Sequence, residues 1–300
     1  MPHILLYFLA LMSLSTSPVW AKLNLMPVEV LGFWRLGLAS IIMGVWIIIY
    51  KRKTWPRIDR HFYWIILSGF FFFLHLWTYK YASRNTSVAN TMILFASNPL
   101  WSSVGAIIFF KEKMTVRLMF AYVLAICGIY LLAFKHIEFN SKTFLGDISA
   151  VISAFFHACY MLTGKKSRLH YDNSIYAFFQ YLVCAIFFAG FVFAKGQPVL
   201  GYNSISWLSV VGLVILPTLL GHLTLSYLVN YMSLSLMSCG KLLEPIMASI
   251  IAYFVFTETL KPQAWMAFTL TAFSVVILFW PSLMQLNWRR TTKPRPSDEA

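Results

Sequence analysis

Two fifteen-residue stretches decide how this sequence reads: NPLWSSVGAIIFFKE at 98–112 and EPIMASIIAYFVFTE at 244–258. A shift of 146 positions lays Pro99 on Pro245 and Glu112 on Glu258. In both, a glutamate follows the proline by thirteen positions at the end of an apolar run, and a short basic or polar turn leads into one further run. The same shift superposes Tyr81 on Tyr227, Ser87 on Ser233, Ala121 on Ala267, Leu124 on Leu270 and Leu132 on Leu278. In so apolar a chain the leucine and alanine matches count for little; the proline and glutamate pairs are rare here and carry the repeat.

The chain around these stretches is 300 residues long, 59% hydrophobic and only 11% charged, with mean hydropathy +0.70. Soluble domains carry about 25% charged residues. Runs of about 17–25 apolar residues, enough for one crossing of a bilayer, occupy 4–21, 32–50, 62–80, 88–110, 116–134, 144–164, 174–194, 206–229, 233–256 and 263–283. The runs are continuously apolar and lack the alternation of a barrel strand, so they predict an all-α membrane protein with ten transmembrane helices. Five crossings per half is an odd number, which makes the halves opposite in sense. The expected organisation is two inverted five-helix repeats, residues 1–139 and 140–286, and a cytoplasmic tail, 287–300, with too little apolar surface to fold. Val19-Trp20-Ala21 faintly resembles a signal-peptidase site, but Met-Pro-His supplies no basic lead. The first run is therefore expected to be a retained first transmembrane helix.

Net charge is +14, yet the lysines and arginines sit in short connectors rather than on one polar face, so no nucleic-acid partner is expected. With the amino terminus inside, fifteen basic residues fall on the cytoplasmic side and seven, among them Lys80, on the other. The excess predicts an inner-membrane protein with both termini cytoplasmic. Cys127, Cys159, Cys184 and Cys239 lie in apolar runs without metal-ligand spacing and read as reduced core residues. No metal site and no cofactor is expected. The partners are the lipid bilayer and a small-molecule substrate; the oligomeric state is left open, a monomer being sufficient.

Four motifs now join the pattern: Ser17-Pro18; Phe33-Trp34-Arg35; Asn98-Pro99-Leu100-Trp101 with Lys111-Glu112-Lys113; and Glu244-Pro245 with Thr257-Glu258. With the ten runs, the sequence resembles the drug/metabolite transporter superfamily, and within it the ten-helix EamA type, over residues 4–283. The resemblance implies metabolite and amino-acid exporters, with some importers, that work by alternating access. It implies no particular substrate.

Polar residues inside the runs are the candidate site. Lys241 and Glu244, three apart, share a helix face about 15 Å from the helix end. There each charge costs about 2.5–3.5 kcal/mol against lipid. The pair is either a structural ion pair or part of a substrate site, with Glu244 the candidate for proton coupling. Pro99 beside Asn98, and Pro245 beside Glu244, each remove a backbone N–H and are expected to kink their helices at a central cavity. His75, His157 and His222 lie within runs, the first and last each preceding a leucine at nearly equivalent places in the repeat. Trp77, Trp101 and Tyr160 could supply aromatic walls. Arg35, about one turn inside its helix, joins the substrate-binding candidates, with snorkelling to the headgroups or a structural role common to the family favoured over ligand contact. Glu112 and Glu258 are expected to anchor turns. Lys241, Glu244, Asn98, histidines and aromatics together suit a small polar or amphipathic metabolite such as an amino acid. The rival is a membrane-embedded enzyme using an intramembrane histidine, for which no nucleophile–base–orienter set is present.

Overall fold

The computed structural model describes residues 2–50, 58–86, 88–133, 141–257, 265–266, 268–270 and 272–277. Among them the secondary structure is helical throughout, without strands. In chain order the helices are α1 (Pro2–Ser15), α2 (Ser17–Leu23), α3 (Val28–Tyr50), α4 (Tyr63–Asn85), α5 (Val88–Phe95), α6 (Asn98–Phe110), α7 (Val116–Ala133), α8 (Ser141–Ser167) and α9 (Asn173–Ala194). Then come α10 (Ser204–Leu213), a π segment (Val214–His222), α11 (Leu223–Leu228), α12 (Leu234–Gly240), a 3-10 turn (Lys241–Leu243) and α13 (Glu244–Phe256). Among the described residues six helical stretches are long and apolar enough to cross a membrane: His3–Leu23, Val28–Tyr50, Thr143–Ser167, Asn173–Ala194, Ser204–Leu228 and Leu234–Phe256. The 23-residue α4 is as long but carries His75, Lys80 and Arg84. The tail and Glu258 lie outside the described residues.

Both faces of these helices are apolar, so burial distinguishes them. On α3 the inward stripe is Leu36, Ala39, Ser40, Met43, Gly44 and Ile47, while Ile41, Ile42, Val45, Ile48 and Ile49 face outward. That helical periodicity, with apolar side chains on the outer face, is what a lipid-facing helix requires. The largest packing surfaces join early helices to late ones: α4 with α8, α3 with α9, α1 with the π segment, and α6 with α8 and α12. Phe72, Phe73, Tyr176, Tyr181 and Phe188 fill the space between them. Close approach needs Gly32, because the Phe188 ring occupies the space a Cβ would take.

Three helix breaks shape the interior. Pro217 lacks the N–H that would continue the α-helical ladder, and the chain winds wider there; the Thr218 hydroxyl donates to the Leu213 carbonyl at 2.7 Å in partial replacement. Pro99 and Pro245 also stand at breaks in the winding: Pro99 opens α6 after the turn at 96–97, and Pro245 follows the 3-10 turn inside the helical stretch Leu234–Phe256. Each sits in the first turn of a new helix, where a missing N–H costs little. α6 and α13 match closely: both have 13 residues and end in a left-handed residue, Lys111 at φ 54° and Thr257 at φ 55°. All four cysteines are free; Cys184 and Cys239 are buried, but Cys127 is exposed on an outer face instead of in the core. Helix periodicity within a continuously apolar run points some cysteines at lipid.

Candidate functional site

The two proline breaks face each other. Asn98 and Pro99 from the first, and Lys241, Glu244 and Pro245 from the second, line one cavity of about 220 Å³ with Met92, Phe95 and Ser238. The 3-10 turn places Lys241 Nζ 3.3 Å from Glu244 Oε1, so the pair expected from the three-residue spacing is formed, and both side chains are buried. Directly before it, Gly240 leaves room for the Tyr7 ring, whose hydroxyl donates to the Met237 carbonyl at 2.5 Å.

From the pair, a polar chain crosses to α8. Lys241 Nζ is 2.7 Å from His157 Nε2, and His157 Nδ1 is 3.0 Å from Asn98 Nδ2. The same amide nitrogen donates to the Ala154 carbonyl at 2.9 Å, and Ser102 Oγ donates to Asn98 Oδ1 at 3.4 Å. These contacts fix which way the amide points, which proximity alone would not decide. The other histidines close around it. His75 Nδ1 lies 2.8 Å from Ser153 Oγ and 3.2 Å from the Ser153 carbonyl. A carbonyl can only accept, so Nδ1 carries the proton and Nε2 presents a lone pair. His222 Nδ1 is 3.0 Å from the Tyr160 hydroxyl. The ring centroids are 4.9 Å apart for His75 and His157, and 6.3 Å for His222 to either. Phe72 packs against Tyr160 and His222 at 4.8 and 4.9 Å, and Phe95 lies 5.5 Å from Lys241 Nζ.

The structure thus gathers Lys241, Glu244, Asn98, His75, His157, His222 and Tyr160, from α4, α6, α8, the π segment and α12–α13. It does not bring in Trp101, which is 40% exposed on the outer surface against Phe155. Trp77 stands elsewhere, stacked on Phe73 with its indole N–H donating to Glu29 at 3.3 Å. Arg35 does not snorkel: it turns inward, 7% exposed, and Nε donates to Thr218 Oγ1 at 2.7 Å. The widened turn after Pro217 presents that hydroxyl to it.

Other buried polar groups gave no such signal in the sequence. Lys80 and Arg168 counted as connector charges, yet both are buried; Lys80 donates to the Ala21 carbonyl, and Arg168 donates to Ser226 Oγ at 2.8 Å. Ser153 is an ordinary helix serine until α4 packs on it. At the far end of α6, Glu112 anchors a turn as expected, but with Lys165 instead of Lys113. It accepts from Lys165 Nζ at 2.8 Å, from the backbone N–H groups of Leu234 and Ser235 at 3.1 and 3.3 Å, and from Ser235 Oγ at 2.9 Å. Burial alone would push its carboxyl up; the Lys165 ammonium and these donors outweigh that and hold it below the usual range.

Three comparisons bear on this arrangement. A family model described as the EamA-like transporter family matches residues 1–134 and 144–280. Two proteins of Archaeoglobus fulgidus, each described as an uncharacterized transporter, are 26% identical to this chain. One match spans 240 residues, 78% of this chain and 80% of the relative; the other spans 190 residues, 63% and 66%. A solved crystal structure, 15% identical, superposes over 93% of this chain and 98% of its own with TM-score 0.77, a likeness of fold alone.

Proposed function

The chain belongs to the EamA-like transporter family, a multi-pass membrane protein that moves a small molecule, and from that premise we propose that it exports a polar or amphipathic metabolite, such as an amino acid or derivative, across the inner membrane by alternating access. In this reading ten helices form two inverted halves, 1–139 and 140–286, with both termini cytoplasmic, and the halves rock about the buried cluster.

The observation that carries the proposal is the Asn98–His157–Lys241–Glu244 chain, closed off between the two proline-restarted helices. Charges and imidazoles at that depth are costly unless a wet or liganded cavity uses them. The matched lengths and left-handed ends of α6 and α13 support the two-halves reading, as do the two consecutive family matches. A cation, an anion and aromatic faces within one cavity suit a zwitterion.

Hydrogen bonding also supports proton coupling at Glu244. With the Asn98 amide nitrogen donating toward His157 Nδ1, the imidazole proton sits on Nε2 and faces Lys241 Nζ. An ammonium there would set proton against proton. Turning of His157, or passage of the Lys241 proton to Glu244, relieves that conflict, so the pair can move between its charged form and a neutral one as substrate engages His157 or Lys241.

Counterflow of labelled metabolites in proteoliposomes tests the transporter reading, since only a carrier exchanges solute across a sealed bilayer. Glu244→Gln is expected to leave a folded protein whose uptake no longer responds to a pH gradient. Unchanged proton-driven flux in that variant would remove Glu244 from the mechanism.

A further inference from the structure

A second cleft, of about 350 Å³, opens beside the central cluster where α2, α3 and α4 meet. Two cations line it: Arg35 and Lys80, which are 7% and 5% exposed. Arg35 uses Nε on Thr218, while its Nη2 has no partner among the described residues. Lys80 bonds the Ala21 carbonyl and has three protons to place. Among the described residues no aspartate or glutamate lines the cleft. Glu29, on the same helix as Arg35, is held by Lys195 at 2.5 Å and by Gln197 at 3.3 Å.

Two like charges buried in one cleft, one with an idle N–H, are unfavourable unless an anion joins them. Apart from Ser17 and Tyr79 the remaining lining is apolar, with Leu31, Leu76, Phe188 and Leu213 among it. We infer that this cleft binds an organic anion, its carboxylate or phosphate-type headgroup bridging Arg35 and Lys80 and its apolar body against Phe188 and Leu76. Tyr79 lines the same cleft and stands 5.9 Å, ring to ring, from His75, so the anion docks one side chain away from the histidine cluster. The inference rests on the transporter reading only for the ligand's onward path; binding needs no flux.

The test uses full-length protein in neutral detergent, with thermal unfolding followed as benzoate is added and benzamide as the uncharged isostere. Benzoate is expected to raise the midpoint saturably and benzamide to leave it unchanged. Arg35→Gln and Lys80→Met should each weaken benzoate at least tenfold, and Arg35→Lys should restore part of the loss. Equal shifts with benzamide, or benzoate affinity untouched by Arg35→Gln and Lys80→Met, would overturn the site. Should those variants fail to fold, phenylglyoxal labelling of the wild-type protein decides: benzoate protects Arg35 if the site exists and leaves it reactive if it does not. Repeating the titration in phosphatidylcholine nanodiscs with and without phosphatidylglycerol identifies the source of the anion. Competition assigns the site to a lipid phosphodiester and unchanged affinity to a soluble carboxylate, and either outcome upholds it. Lost benzoate binding with intact counterflow removes this cleft alone, whereas intact binding without counterflow removes the transport reading alone.

Discussion

The two proline-restarted helices use one backbone plan for different chemistry. α6 and α13 begin one residue before a proline and end thirteen residues on in a left-handed residue. At the first break the polar group is Asn98, a neutral amide satisfied by a carbonyl and a hydroxyl. At the second it is Glu244, whose described partner is the neighbouring ammonium of Lys241. The first break is a fixed reference, complete in one arrangement. The second holds a charge balance that a proton or a ligand can shift.

Lys241→Met tests that contrast hardest. It leaves Glu244 buried without its cation, a loss of about 3–5 kcal/mol expected to appear as a collapsed midpoint in detergent. Adding Glu244→Gln should recover most of it. Asn98→Ala, the matching deletion at the neutral break, should cost about 1–3 kcal/mol. If it costs as much as Lys241→Met, the two breaks are not chemically distinct.

Much of this was legible in the sequence, for reasons that are physical. Run length gives the six membrane-length helices seen among the described residues, because the bilayer sets a minimum apolar length, and the three-residue spacing gives the Lys241–Glu244 pair. The breaks at 96–97 and 241–243 were not legible as helix ends: a continuously apolar run has no periodicity to lose where the winding changes. His157 read as one polar residue among several, since its partners arrive from α6 and the 3-10 turn. The burial of Lys80 and Arg168 was not legible because a basic residue near a helix end looks alike whether it leaves for water or turns back. Only packing against Ala21 and Ser226 distinguishes them.

Glu112 sharpens the comparison at the far end of α6. Glu112→Gln keeps an acceptor for the N–H groups of α12 but loses the ion pair, so a penalty of about 1 kcal/mol or less is expected. Its sign with pH is set by the lowered carboxyl. The contribution is present above the unfolded-state value of about 4.3 and is lost as pH falls through the lower folded-state value. Midpoints measured between pH 7 and pH 3 should fall less steeply for the variant. The smallest effects belong to the prolines themselves. Pro99→Ala and Pro245→Ala should each change stability by less than about 1 kcal/mol, because a first-turn proline gives up no helix hydrogen bond. A larger loss at one alone would mean that its break is held by the ring rather than by its neighbours.

The wide winding at 214–222 matters for how such proteins diversify. In an α-helix each residue turns the chain by about 100°, and a π segment absorbs an extra residue without disturbing the helix on either side. Gain or loss of a single codon there would swing His222 away from Tyr160 and bring a neighbour to the same place. Relatives could then differ in what they carry with every other cavity residue retained, and would need to be matched from Pro217 forward rather than by counting back from Tyr227.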